Sequence, residues 1–278
     1  MGKTVIYRTV IILAAALSLW PLASSSQTMR GDFDMDGQIS ISDVTAMIDY
    51  LLTGDLGQTQ PENLDTITVN GVPFVMVRVE GGTFMRTCTN EITVGDFSIA
   101  QTEVTRELWA AVMGEQVSPQ YAQYPKERVM PAQCLEFIER LNELTGMNFR
   151  LPLRNEWTYA AAGGRFTRSY TYAGSDDIDE VAWYYENSHI GVDGITVWPV
   201  ATKAPNELGL YDMSGNATEW CVLYRETPQN PEYQVYYTRG GCFWHGANLC
   251  EIDYSGYPYS ISQTYPQNSD NCGIRLAL

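Results

Sequence analysis

The sequence predicts an α+β chain with an irregular, loop-rich body and a small loop-helix at its front. Three observations carry this. Short alternating strands lie near residues 73–100, three capped helical patterns follow up to residue 164, and beyond them glycine, proline and aromatic residues crowd while regular periodicity fades. With 45% apolar and 12% aromatic residues, the 278-residue chain is no disordered acidic polymer and suffices for one large core plus an appendage.

Taken in order, residues 1–26 place Lys3 and Arg8 before an apolar run and then small residues, the layout of a secretory signal peptide, with cleavage expected near Ser25 or Ser26. The mature protein is then exported, to periplasm, cell surface or medium. In residues 31–54, the loop DFDMDGQISISD sets Asp32, Asp34 and Asp36 at alternate positions, Gly37 at the tight turn, Gln38 as a main-chain carbonyl donor and Asp43 at the twelfth position. Alternate carboxylates around a glycine turn converge on one hard cation, so this loop predicts calcium. The helix after it carries Val44, Met47, Ile48, Leu51 and Leu52 as one apolar stripe. Residues 55–72 read as a linker, and 73–278 as the main domain.

Within that domain, FVMVRVEGGTF predicts a strand ended by Gly81 and Gly82, and a second strand is expected at Asp96 to Ala100. EVTRELWAAVMG predicts a helix stopped by Gly114. PAQCLEFIERLNELTG keeps Leu135, Ile138 and Leu141 in helical register up to Gly146, and LPLRNEWTYAAAGG starts near Pro152 and stops at Gly163 and Gly164.

The formal net charge of −16 excludes phosphate backbones and anionic lipid surfaces as natural partners, so no nucleic acid and no membrane insertion are expected. Cysteines in an exported chain meet oxidising conditions, so at least one disulfide is expected among the six. Neither GxSxG nor HExxH occurs, and His189 and His245 stand apart in sequence.

GDFDMDGQISISDVTAMIDYLL resembles one repeat of a type I dockerin. Dockerins carry two such repeats and dock through them onto a cohesin; with one repeat here, the resemblance implies a cohesin-like partner and leaves the helix stripe to be buried in cis or in trans. The ordered series VRVEGGTFM, FSIAQTEVTRELWAAVMG, FRLPLRNEWTYAAAGG, PNELGLYDMSGNATEW, RGG and GIRLAL resembles the sulfatase-modifying-factor family, whose founding member is the formylglycine-generating enzyme. That resemblance implies a C-type-lectin-like fold of the formylglycine-generating-enzyme type. It also implies a calcium site held by the side chains of Asp212 and Glu219 and the carbonyls of Gly215 and Ala217. A second calcium site would use Asn187, Asp193 and the carbonyls of Ser188 and Ile195. Carboxylates and carbonyls are the hard oxygen donors that calcium takes.

In active members of that family two cysteines after RGG bind copper(I), and oxygen then oxidises a substrate cysteine to formylglycine. Here the first of the pair falls at His245 and the second at Cys250, while Cys242 stands where a serine is usual. Imidazole is an acceptable copper ligand, so a Cys250/His245 oxidase site is one reading. The other, and the one expected, is that Cys250 pairs with Cys242 or Cys272 in a disulfide and His245 faces solvent. Binding is the competing function class. Phe243, Trp244, Tyr254, Tyr257, Tyr259 and Tyr265 stand among small polar residues in 243–271, the composition of an adaptable surface for a protein or glycan ligand. Phe243 and Trp244 are expected to be buried. Asn216-Ala217-Thr218 fits the glycosylation sequon but lies within the calcium motif, so the match is read as incidental.

Overall fold

The structure is a computed structural model that describes residues 64–87, 90–188, 196–225, 233–254, 258–260 and 271–278. All belong to one unit, Asn63–Leu278. The signal peptide and the dockerin-like loop with Asp32, Asp34, Asp36, Gln38 and Asp43 lie outside the described residues, as do Cys88, His189, Asp193 and Ile195.

The domain begins earlier than the sequence reading placed it. Strand β1 (Leu64–Val69) falls inside the stretch 55–72 read as linker and pairs antiparallel with β2 (Val72–Val79). The cause is Asn70-Gly71, with φ of 49° and 87°, the tight two-residue turn that matches the twist of a hairpin. β2 also pairs with β5 (Phe97–Ala100). Between them, β3 (Gly82–Thr87) and β4 (Asn90–Val94) form a separate two-stranded ribbon.

Helix α1 (Arg106–Met113) starts where the Thr105 hydroxyl accepts from the Leu108 N–H at 3.1 Å and stops at Gly114 in the left-handed conformation. Helix α2 (Pro131–Thr145) ends the same way at Gly146 and buries Cys134, Phe137, Ile138 and Leu141. Leu135 lies off that face and is 40% exposed. Trp109 of α1 stacks on Phe137 of α2 at 4.7 Å, fastening the two helices over the first sheet. Helix α3 (Arg154–Ala161) inserts Trp157, Tyr159, Ala160 and Ala161 into a second apolar cluster.

A four-stranded sheet of order β8-β7-β6-β9 completes the unit, with β6 (Thr218–Arg225), β7 (Tyr233–Arg239), β8 (Pro258–Ser260) and the short β9 (Cys272–Gly273). Strand β6 is the hinge of the architecture. Trp220 and Val222 point into the first cluster and Cys221 into the second, because successive side chains of a strand face opposite sides. The final segment threads between distant parts, its Ile274 and Leu276 carbonyls accepting from the Val104 and Ala100 N–H groups at 2.8 Å. Among the described residues no helix is long and apolar enough to cross a membrane.

Candidate functional site

The loop Asp212–Ala217 enters β6 through three left-handed residues, Asp212, Gly215 and Asn216. At Gly215 a side chain would collide with the Trp183 carbonyl, so the tight approach requires glycine. Asn216 is fully buried; its Oδ1 accepts from the Trp198 N–H at 2.9 Å and its Nδ2 donates to the Trp198 carbonyl at 3.2 Å. With its amide so committed, Asn216 offers no exposed glycosylation site.

Four charged side chains meet under this loop, each at most 2% exposed: Glu103, Asp212, Glu219 and Arg275. Glu219 directs both oxygens at Arg275, at 2.7–2.9 Å, and its Oε2 also accepts from the Trp157 indole at 2.5 Å. The remaining Arg275 donors reach the Ala100 and Tyr211 carbonyls. Asp212 Oδ2 accepts from the Ala201 N–H at 2.7 Å and Glu103 Oε1 from the Ala217 N–H at 3.2 Å. The second oxygen of each, Asp212 Oδ1 and Glu103 Oε2, is buried with no N–H donor, and the two carboxyls stand close enough to share a proton.

Three carboxylates around one guanidinium leave an excess of two negative charges if all are ionised. Burial drives the Glu103 carboxyl well above its ordinary range, helped by the Asp212 charge, and burial likewise pushes Asp212 up to about 6. Two adjacent carboxylates with orphaned oxygens call for a shared proton or a cation. Carboxylate oxygens such as those of Asp212 and Glu103 are the hard donors a divalent cation takes, and the Gly215 and Ala217 carbonyls, of the same chemical kind, belong to the loop of Asp212. The set differs in one member from the expected one. Glu219 is occupied by Arg275 and Trp157, and Glu103 stands beside Asp212 instead. Sequence reading missed Glu103 because it sits at a helix start 109 residues before Asp212; its one signal was membership of the block QTEVTRELW.

The other expected calcium ligands are less convergent. Asn187 Oδ1 accepts from the Tyr184 N–H at 2.9 Å while Nδ2 donates to the Ala182 carbonyl and to Asp179. It therefore organises a local turn, with Ser188 Oγ tied to the Phe243 carbonyl at 2.7 Å.

The segment after the double glycine begins with Gly240 and Gly241 at positive φ. A side chain on Gly241 would meet the Leu249 carbonyl at 2.6 Å and Cys250 Sγ at 2.7 Å, so the two ends of the loop close on each other. Cys242 and Cys250 are both fully buried. Burial pushes the Cys250 thiol up to about 12, against the N–H groups of Cys242 and Gly215 that would favour a thiolate. Burial also raises Cys242, partly offset by the Trp244 N–H, the Thr218 side chain and the His245 N–H. His245 is half-buried, its Nδ1 is buried without a partner, and burial lowers its pKa.

Two expectations fail here. Cys134, Cys221, Cys242, Cys250 and Cys272 are all free thiols, so the disulfide from Cys250 to Cys242 or Cys272 is absent. Cys250 packs with Tyr172 and Tyr184, whereas Cys272 lies in the helix cluster with Cys134, and Cys242 turns toward Val197, Ala217 and Phe243. Phe243 is buried as expected, but Trp244 is 54% exposed and meets the exposed Tyr185 edge-on at 6.0 Å. A loop without period gives the sequence no means of saying which neighbouring aromatic turns inward.

The chain is similar to known proteins along most of its length. A chaperone protein LppX from Paenibacillus barcinonensis is 32% identical over 65% of this chain and 82% of its own. The formylglycine-generating enzyme of Streptomyces coelicolor is 29% identical over 46% of each chain. Among solved structures, Treponema denticola variable protein 1 superposes with a TM-score of 0.63 at 24% identity, covering 77% of this chain and 98% of that one. PvdO from Pseudomonas aeruginosa does so at 0.55 and 20% identity, over 73% and 93%. At these identities the structural likeness speaks for the fold, which is the expected loop-rich α+β class. The family model described as the sulfatase-modifying factor enzyme 1-like domain matches residues 57–278, and the chain belongs to that family.

Proposed function

We propose that the protein is an exported, calcium-binding member of this family that binds a protein ligand and carries out no oxidation. The observation that carries the reading is at the segment after Gly241. Position 245 holds an imidazole where a thiolate is implied, and the remaining thiols, Cys242 and Cys250, are fully buried with raised pKa values. A copper(I) site needs accessible thiolates. Cys250 offers a protonated sulfur that lies against the Gly241 backbone. These residues do not fit copper, and no oxidative step is derived through it. The relative named as a chaperone also supports a non-enzymatic role.

Calcium suits the other cluster. Asp212 and Glu103, with the Gly215 and Ala217 carbonyls, would hold it, and bound there it would neutralise the excess carboxylate charge and fix the loop that precedes β6. Because the Phe243 N–H donates to the Asn216 carbonyl and the Gly215 N–H to that of Gly240, fixing that loop also fixes the segment that presents Trp244. The front loop with Asp32, Asp34, Asp36, Gln38 and Asp43 is proposed as a separate calcium site and docking repeat. The test is incubation of the reduced full chain with copper(I), oxygen and a cysteine-containing sulfatase peptide, read by mass spectrometry. No aldehyde product is expected. Aldehyde that disappears in Cys250→Ser would establish the oxidase alternative.

A further inference from the structure

We infer that the edge-on pair Trp244 and Tyr185, with Glu186 beside it, is a docking corner for a lysine or arginine side chain of a protein partner. This rests on the binding reading above and names the chemistry of the ligand.

The corner is exposed and its backbone is held. Trp244 and Tyr185 are 54% and 42% exposed, with ring centroids 6.0 Å apart at 84°. The Tyr185 N–H donates to the His245 carbonyl at 2.9 Å, and the His245 N–H to the Cys242 carbonyl at 2.8 Å. The two rings are therefore carried by segments bonded directly to each other, and Trp244 sits between the buried Phe243 and the half-buried His245. A tryptophan so exposed forgoes burial that the fold could have used, while a preorganised pair of rings lowers the ordering cost of binding.

Charge selects the guest. Aromatic faces attract cations, with tryptophan the strongest, and the attraction grows as water is displaced. Glu186 follows Tyr185 directly in sequence and is exposed; its Oε1 lies 3.9 Å from the position of a side-chain carbon on Gly246, two residues beyond Trp244. Glu186 shares the neighbourhood of Tyr172 with Glu251 and that of Tyr184 with Asp179, so further negative charge lies close to it. Lys203, which touches Asp179, is committed to its carbonyl at 2.5 Å and to the Trp183 ring at 4.3 Å. The whole chain carries −16, which draws cationic partners and repels anionic ones. Two rings at a right angle make an open corner rather than a closed cage, so a free ammonium would keep most of its water. A side chain delivered by a larger protein surface brings the missing contacts with it.

The probe is a fluorescein-labelled nonapeptide of alternating lysine and glycine, titrated with the full chain. Matched peptides with glutamine for lysine, free tetramethylammonium and a neutral oligosaccharide are run as competitors. Saturable binding of the lysine peptide is expected, weakened about tenfold by Trp244→Ala and by a smaller factor by Glu186→Gln. Both positions are exposed, so an unchanged melting temperature verifies the fold of each variant. Lysine-peptide affinity that ignores Trp244→Ala would overturn the proposal, and so would equal competition by the glutamine peptide, by tetramethylammonium or by the oligosaccharide. An aldehyde product in the oxidation assay would instead remove the reading beneath it, so the two failures are distinct.

Discussion

The carboxylates under Asp212 and the thiols after Gly241 lie back to back, joined by the hydrogen bonds from Gly215 to Gly240 and from Phe243 to Asn216. Yet they have opposite needs. With all three carboxyls ionised, the first would hold more buried negative charge than Arg275 neutralises, and its two orphaned oxygens call for a cation or a shared proton. The second holds two thiols that the fold has already satisfied with packing and N–H groups, beside a His245 whose Nδ1 is buried without a partner. A site is recognised by what it lacks, and on that criterion we propose the first as a cation site and the two thiols of the second as core.

The largest effect expected from breaking this contrast comes from Arg275→Met. It strands Glu219 in the interior and should cost about 3–5 kcal/mol in urea unfolding. Next is calcium itself. At a hundredfold excess over its dissociation constant it should add about 2.7 kcal/mol of stability, read as a rise in melting temperature. Glu103→Gln or Asp212→Asn should abolish the part of that rise due to this site, while leaving the calcium-free protein as stable as the parent or more so, because each removes a repelled charge. Loss of stability in calcium-free Glu103→Gln would mean that a shared proton, not a cation, is what the pair holds. On the thiol side, Cys250→Ala should cost about 1 kcal/mol, in keeping with a small buried side chain that leaves a modest cavity. Native Cys242 and Cys250 should resist iodoacetamide until the chain unfolds, since both are buried and protonated at neutral pH. The smallest effect is that of Trp244→Ala on stability, within about 0.5 kcal/mol, because the side chain is exposed.

Local signals in the sequence served well where chemistry is local. Gly114 and Gly146 closed their helices, and the blocks running from Val77 to Leu278 announced the family. The β1–β2 hairpin was legible too, through Asn70-Gly71 between alternating segments, but its polar approach at 55–63 made the whole stretch resemble a linker. What could not be read was arrangement across distance. Glu103 and Arg275 lie 172 residues apart, and no pattern in either neighbourhood says that they share one buried cluster with Asp212. The oxidising compartment expected from the leader sequence favoured a disulfide, yet pairing depends on which way each side chain faces. Cys250 and Cys272 face different cores.

The central claim is that the thiol segment has become core while its neighbour remains a cation site. A copper(I) titration of the reduced full chain against a chromophoric chelator tests it most directly. The account predicts that the chelator keeps its copper. Withdrawal of one copper per chain, lost in Cys250→Ser, would contradict it.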